Sequence, residues 1–215
     1  MFGSILYLLE EIKIKNVIIG KQYSNCENLQ KFLKIIKEKN IKVNIVEGES
    51  KIKIENNLYF DVLWPNDTDI VFKNSINNNA LVCKLNYKNF SMLFTGDIEQ
   101  EAENKIVFKY KNTKILNSTI IKVAHHGSKS SSTEDFLKLV QPQIALIGVG
   151  ANNTFGHPNS EIIKRLENYN VKVYRTDEMG EIEMNVNSKG KIKIDKKKTD
   201  AYNYGQSERE RSVSI

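Results

Sequence analysis

Lys122-Val123-Ala124-His125-His126-Gly127-Ser128 is the stretch on which the reading of this chain turns. An apolar run, Ile120 to Ala124, ends on two adjacent histidines and opens into a serine-rich loop. That is the form of a buried strand ending at a loop mouth, where layered α/β folds collect their sites. The sequence has three histidines, and the third, His157, lies in Gly156-His157-Pro158, just after another apolar run, Gln143 to Gly150. A chain that reserves its histidines for such loops is placing ligands or acid–base groups rather than filling a core.

Working outward, the segments before this stretch read as helix and strand in alternation. Apolar spacing predicts a helix over 4–12 with Ser4 as a cap, a strand over 16–20, an amphipathic helix over 25–39 and a strand over 41–46. The period then changes to two. Strands are expected at 51–54, 58–64, 80–85 and 90–94, the last two joined through Tyr87-Lys88-Asn89, with a polar loop over 65–79. A helix over 98–110 leads into the histidine strand. Ser131-Ser132-Thr133-Glu134-Asp135 reads as a cap for a helix to about Val140, which Pro142 stops. After the strand at 143–150 and the His157 loop, Asn159-Ser160 caps a helix to Asn168, and short strands follow at 171–174, 181–186 and 191–194. This is an α/β domain over 1–194. The charged, polar segment 195–215 reads as a disordered tail.

Composition narrows the class. With 215 residues, 40% hydrophobic and 27% charged, the chain can bury an ordinary globular core. Cys26 and Cys83 are far apart and form no metal or disulfide framework. No apolar run reaches the length of a membrane span. The net charge of +6 is compatible with a polyanionic partner, although the lysines are spread over many segments.

Three strand ends carry chemistry-bearing residues: Asp97 in Thr95-Gly96-Asp97, the pair His125-His126, and His157. Histidine and carboxylate together suit a hydrolytic zinc or manganese site, in which a histidine orients substrate or protonates the leaving group. Plainer readings stand beside this one. Asp97 precedes a helix and reads equally as its N-cap; His157-Pro158 reads as a turn; and strand alternation would send His125 and His126 to opposite faces. Ser128, Lys129 and Asn153 are the candidate substrate contacts, Lys129 as a charge that can meet phosphate. Ser128 and its neighbours also read as loop and cap residues, and no Gly-x-Ser-x-Gly elbow is present.

Taken together, Leu93-Phe94-Thr95-Gly96-Asp97, Lys122 to Ser128 and Asn153-Thr154-Phe155-Gly156-His157-Pro158 resemble the second half of the metallo-β-lactamase superfamily, nearest to the hydrolase domain of ComEC-type competence proteins. Asn77 to Val82 and Lys172 to Asp177 fit the same group. The resemblance implies an αββα sandwich with a two-metal centre between its sheets. It makes Asp97 the bridging aspartate and His126 a metal ligand, with His125 and His157 as residues that contact phosphate or assist proton transfer. It also implies attachment to the bacterial cell membrane beside a channel for DNA uptake, with single-stranded DNA as the partner.

The superfamily's His-x-His-x-Asp-His motif is not found, since no histidine precedes Asp97. The sequence therefore leads to the expectation of a partial sandwich lacking its first strands, which binds zinc or manganese weakly alone and works with a missing N-terminal fragment or a membrane channel protein. Three functions follow: a phosphodiesterase or nuclease linked to DNA uptake, a non-catalytic binding module, or a small-molecule or cell-wall phosphoester hydrolase of the same fold.

Overall fold

The computed structural model describes residues 2–21 and 27–197. The chain opens with α1 (Phe2–Glu11), β1 (Asn16–Gly20), α2 (Glu27–Glu38) and β2 (Lys42–Val46). β1 and β2 pair in parallel. Leu29, Phe32 and Ile36 lie on one face of α2 and meet Leu9 of α1 and Ile41 in a core of their own. Ser4 lies inside α1 rather than capping it, because the helix begins at Phe2.

The main sheet has seven strands: β3 (Lys51–Glu55), β4 (Leu58–Trp64), β5 (Val82–Tyr87), β6 (Phe90–Phe94), β7 (Ile120–Lys122), β8 (Ile144–Ile147) and β9 (Lys172–Arg175), side by side in that order. Pairing is antiparallel from β3 to β6 and parallel from β6 to β9. The change follows from the connections. A tight hairpin joins β5 to β6, whereas helices α4 (Gln100–Tyr110), α5 (Glu134–Val140) and α6 (Ser160–Asn168) carry the chain back between the parallel strands. The protein is thus α/β, with a mixed sheet and flanking helices.

Strand alternation assigns the two faces. Leu93, Ile121, Ala145 and Ile147 turn to the helices, where Ile98, Ile106, Phe136, Leu137, Ile162 and Leu166 complete the largest core. Their neighbours Met92, Ile120, Ile144 and Leu146 turn the other way, onto the hairpin of β10 (Glu181–Val186) and β11 (Ile192–Lys197). Each fully buried side chain of this size contributes roughly 1.5–3 kcal/mol.

Several boundaries differ from the sequence reading. The polar segment 65–79 contains a helical turn, α3 (Ser75–Asn78), and Thr176–Met179 forms another, α7. Both are too short for periodicity to show. β7 ends at Lys122, so the histidine pair lies outside the strand. β11 continues to Lys197, which puts the first three residues of the expected tail in the sheet; 198–215, like Cys26, lie outside the described residues.

Candidate active site

The parallel strands β6, β7 and β8 all end on the same side of the sheet, so Asp97, the histidine pair and the loop holding His157 converge. Two hydrogen bonds tie the first two: Thr95 Oγ1 donates to the Lys122 carbonyl at 2.6 Å, and the His125 amide donates to the Gly96 carbonyl at 3.2 Å.

The pair occupies a tight turn, Ala124–Gly127, in which His125 (φ 47°) and His126 (φ 54°) both have left-handed backbone. Alternation therefore does not separate them, and both imidazoles reach the site. His126 Nδ1 lies 2.6 Å from the Gly148 carbonyl oxygen. A carbonyl only accepts, so Nδ1 carries a proton, and in the neutral ring Nε2 presents its lone pair. Nε2 lies 3.8 Å from Asp97 Oδ1. Asp97 is 4% exposed, and its Oδ2 is buried with no hydrogen-bond partner. It does not cap α4, whose N-cap position is Glu99. The half-buried Lys122 feels this carboxylate. Burial pulls its ammonium below the ordinary value, and Asp97 opposes that pull.

His125 points the other way. Its Nδ1 is 3.4 Å from Glu99 Oε1, and its ring centroid is 5.7 Å from that of His157, at 64°. Glu99 is held in turn by Asn74, which donates to Oε2 at 2.9 Å, and by Asn78, whose Oδ1 accepts from the Glu99 amide at 2.9 Å. The sequence assigns no role to Glu99, and places Asn78 only within the Asn77 to Val82 resemblance. The only signal for Glu99 was a second carboxylate two residues after Asp97, and that for Asn78 was hidden among three consecutive asparagines. Burial pushes the His157 imidazole below its ordinary value; His125 and His126 add to the shift and Asp97 opposes it.

The remaining candidates have structural partners. Asn153 braces the His157 loop: its Oδ1 accepts from the His157 amide at 3.0 Å and its Nδ2 donates to the His157 carbonyl at 2.7 Å. Ser128 is buried with its hydroxyl 3.0 Å from that of Ser130, and the exposed Lys129 pairs with Glu161 at 3.1 Å. The serine loop is clamped from two helices. Glu103 of α4, fully buried, accepts from the Ser132 and Thr133 amides at 2.5 and 2.7 Å, and Arg165 of α6 donates to the Ser132 carbonyl at 2.7 Å. Thr133 stands at the N-cap of α5 but makes no side-chain cap bond; Glu103 instead holds the two amides that lead into the helix. Asn159 does cap α6, accepting from the Glu161 amide.

Asp97 and His126 have the features of two metal donors. One oxygen of the carboxylate is buried without a partner, and the imidazole's second nitrogen is fixed by a backbone carbonyl, the usual support of a ligating histidine. Among the described residues no group of three or more His, Cys, Asp or Glu side chains converges as a metal cage. The residues present fit part of a site: two donors, where a catalytic zinc takes three from the protein.

Over 181 residues, 84% of its length, the chain is 32% identical to ComE operon protein 3 of Bacillus subtilis (strain 168). It resembles competence proteins. It is also 29% identical over 133 residues to Competence protein ComA of Neisseria gonorrhoeae, and 32% identical over 128 residues to Recombination protein 2 of Haemophilus influenzae. The matches cover 22%, 18% and 15% of these relatives, so the chain spans about a fifth of their length. No protein-family model matches the chain. Among the described residues no helix is long and apolar enough to cross a membrane.

Proposed function

We propose that this chain carries one wall of a divalent-metal site that hydrolyses phosphodiesters of nucleic acid during DNA uptake, within a partial αββα sandwich of the metallo-β-lactamase type. The observation that carries the reading is the Asp97–His126 pair, with its unpartnered buried carboxylate oxygen and its carbonyl-fixed imidazole. The similarity to competence proteins supplies the context.

Asp97 Oδ2 and His126 Nε2 would hold zinc or manganese. Such an ion supplies Lewis acidity and lowers the pKa of a bound water. The chain's own residues do the rest. Gly148 keeps His126 in the tautomer that leaves Nε2 free. Glu99 Oε1 stands 3.4 Å from His125, which lies beside His157, and these two imidazoles would face a substrate phosphate. The remaining donors come from outside the described residues, from a further segment or a partner such as a membrane channel protein.

Calorimetric titration with zinc and manganese, run beside cleavage of single-stranded DNA, tests this. The expected result is weak binding that disappears in Asp97→Ala and in His126→Ala, with any cleavage metal-dependent and lost in the same variants. Metal binding that survives both substitutions refutes the assignment. The two-donor count also favours a second reading, a non-catalytic binding module. Folded protein that neither binds metal nor cleaves DNA selects that reading, and turnover of a small phosphodiester without DNA cleavage selects a small-substrate hydrolase.

A further inference from the structure

The corner Arg175-Thr176-Asp177, where β9 passes into α7, holds none of the site residues described so far, yet its hydrogen bonds lead into the site. Thr176 lines the same cleft as His126, Gly148 and Val149. Its hydroxyl brackets one residue at the end of β8. Oγ1 accepts from the Val149 amide at 2.8 Å and donates to the Val149 carbonyl at 2.7 Å. The Ile147 carbonyl, at 3.5 Å, is a poorer acceptor for the same proton.

The Val149 N–H and the Gly148 C=O belong to one planar peptide unit, and in a trans unit they point in opposite directions. Thr176 therefore holds this unit on one side. His126 holds it on the other, with Nδ1 2.6 Å from the Gly148 oxygen. Other constraints on the unit are weak. β8 ends at Ile147, so the unit lies past the end of the strand. Apart from the adjoining residues, no atom lies within 4 Å of the place a Cβ would take at Gly148, so packing there does not set the orientation. Thr176 is itself braced. Arg175 Nε and Nη2 donate to the two Asp177 carboxylate oxygens at 3.1 and 2.5 Å, which locks together the residues on either side of it.

We propose that Thr176 is a positioning residue for His126: through the Gly148–Val149 peptide it keeps the imidazole in the Nδ1–H tautomer, with Nε2 toward Asp97. The inference rests on the proposed function for the use of that nitrogen, and it gives the Lys172 to Asp177 segment a part in the site. The support of a ligating histidine then extends one bond beyond the carbonyl that touches it.

The first measurement needs no metal. In EDTA, NMR of the imidazole nitrogens of the full chain at about pH 8.5, where an ordinary imidazole is neutral, reads the His126 tautomer. The Nδ1–H form alone is expected in the unsubstituted protein and in Thr176→Ser, which keeps the hydroxyl. Thr176→Val, close in shape but without the hydroxyl, should show both tautomers at His126 and exchange its Val149 amide roughly tenfold faster, with His125 unchanged. Thr176→Ala repeats the measurement with less bulk. In a zinc titration, Thr176→Val should bind about 10–100-fold more weakly, and Thr176→Ser should restore the affinity. A His126 that stays wholly Nδ1–H in both Thr176→Val and Thr176→Ala overturns the proposal, as does an equal change in Thr176→Ser. If neither hydroxyl-free variant folds, the hydroxyl serves the fold, and the positioning role is overturned as well. Zinc binding that is lost in Asp97→Ala and His126→Ala but undiminished in Thr176→Val overturns the positioning role alone. A tautomer that follows Thr176 in a chain that binds no zinc overturns the metal reading alone.

Discussion

Gly127→Ala probes the join between the two histidine-bearing loops. Gly127 has φ +80°, and a Cβ added there would lie 2.6 Å from Pro158 Cβ and 3.1 Å from its Cα. The proline ring cannot rotate away, so Pro158, and the backbone of His157 with it, must shift by about 1 Å to restore van der Waals contact. The left-handed backbone costs an L-residue about 1–2 kcal/mol. The overpacking costs about 1–3 kcal/mol. The sum, about 2–5 kcal/mol, is a large part of a typical domain's stability. Gly156→Ala is the matched control: its φ is +68°, but nothing lies within 4 Å of its added Cβ, so it carries the backbone cost alone. Urea unfolding followed by Trp64 fluorescence should separate the two variants by about 1–3 kcal/mol. Imidazole resonances of His125 and His157 should move in Gly127→Ala. Equal destabilisation of the two variants, with unmoved resonances, refutes the claim that packing of Gly127 on Pro158 sets the spacing of these loops.

Glu103→Ala removes the acceptor for two amides of the serine loop and should cost about 2–6 kcal/mol, since each buried N–H left unpaired costs about 1–3. Ser132 and Thr133 amides that keep their protection from hydrogen exchange in this variant argue against it. For His157, burial places the folded-state pKa below the ordinary 6.5, so as the pH falls the unfolded chain takes up this proton first. Its stability contribution is complete above 6.5 and is lost as the pH drops through the folded value, and His157→Gln should flatten that loss; an NMR titration midpoint at or above 6.5 contradicts this. Burial pushes the Cys83 thiol from 9.0 up to about 11. Alkylation at pH 8 in a Cys26→Ser background should therefore run about a hundredfold slower than for an ordinary thiol, and a comparable rate shows the burial to be wrong.

The strands were legible as short runs rich in apolar residues: β1, β4 and β10 run over the residues read as strands. The parallel ends of β6, β7 and β8 follow from the strand–helix alternation, which is why Asp97, His125, His126 and His157 could be expected together. Local patterns failed where distant groups decide. Ser131 to Asp135 does hold the N-cap position of α5, yet its own side chains make no cap bond, and its backbone is held by a carboxylate from another helix. Asp97 has the position of a cap but does not serve as one. Glu99 acquires its role only once folding brings Asn74, Asn78 and His125 to it.

The backbone of the histidine pair shows what the site demands of the fold. Two consecutive non-glycine residues in left-handed conformation cost about 1–2 kcal/mol each. A strand continued through Ala124 would avoid that cost and would turn one imidazole away from the other. The turn persists because its surroundings over-determine it. Gly96 and Lys122 carbonyls tie its start, the one Ser131 hydroxyl proton is shared between the Ala124 and Ser128 carbonyls, the Ser128 amide donates to the His125 carbonyl, and Gly148 holds the His126 ring. At about 0.5–1.5 kcal/mol each, these five bonds are enough to offset the strain. None of them needs histidine's chemistry except the last, which fixes the tautomer whose free nitrogen faces Asp97. A fold that only had to turn a corner here could do so with glycine at both positions. Carrying two imidazoles through a strained turn, one toward a buried carboxylate and the other toward His157, is the structural ground for reading these residues as functional.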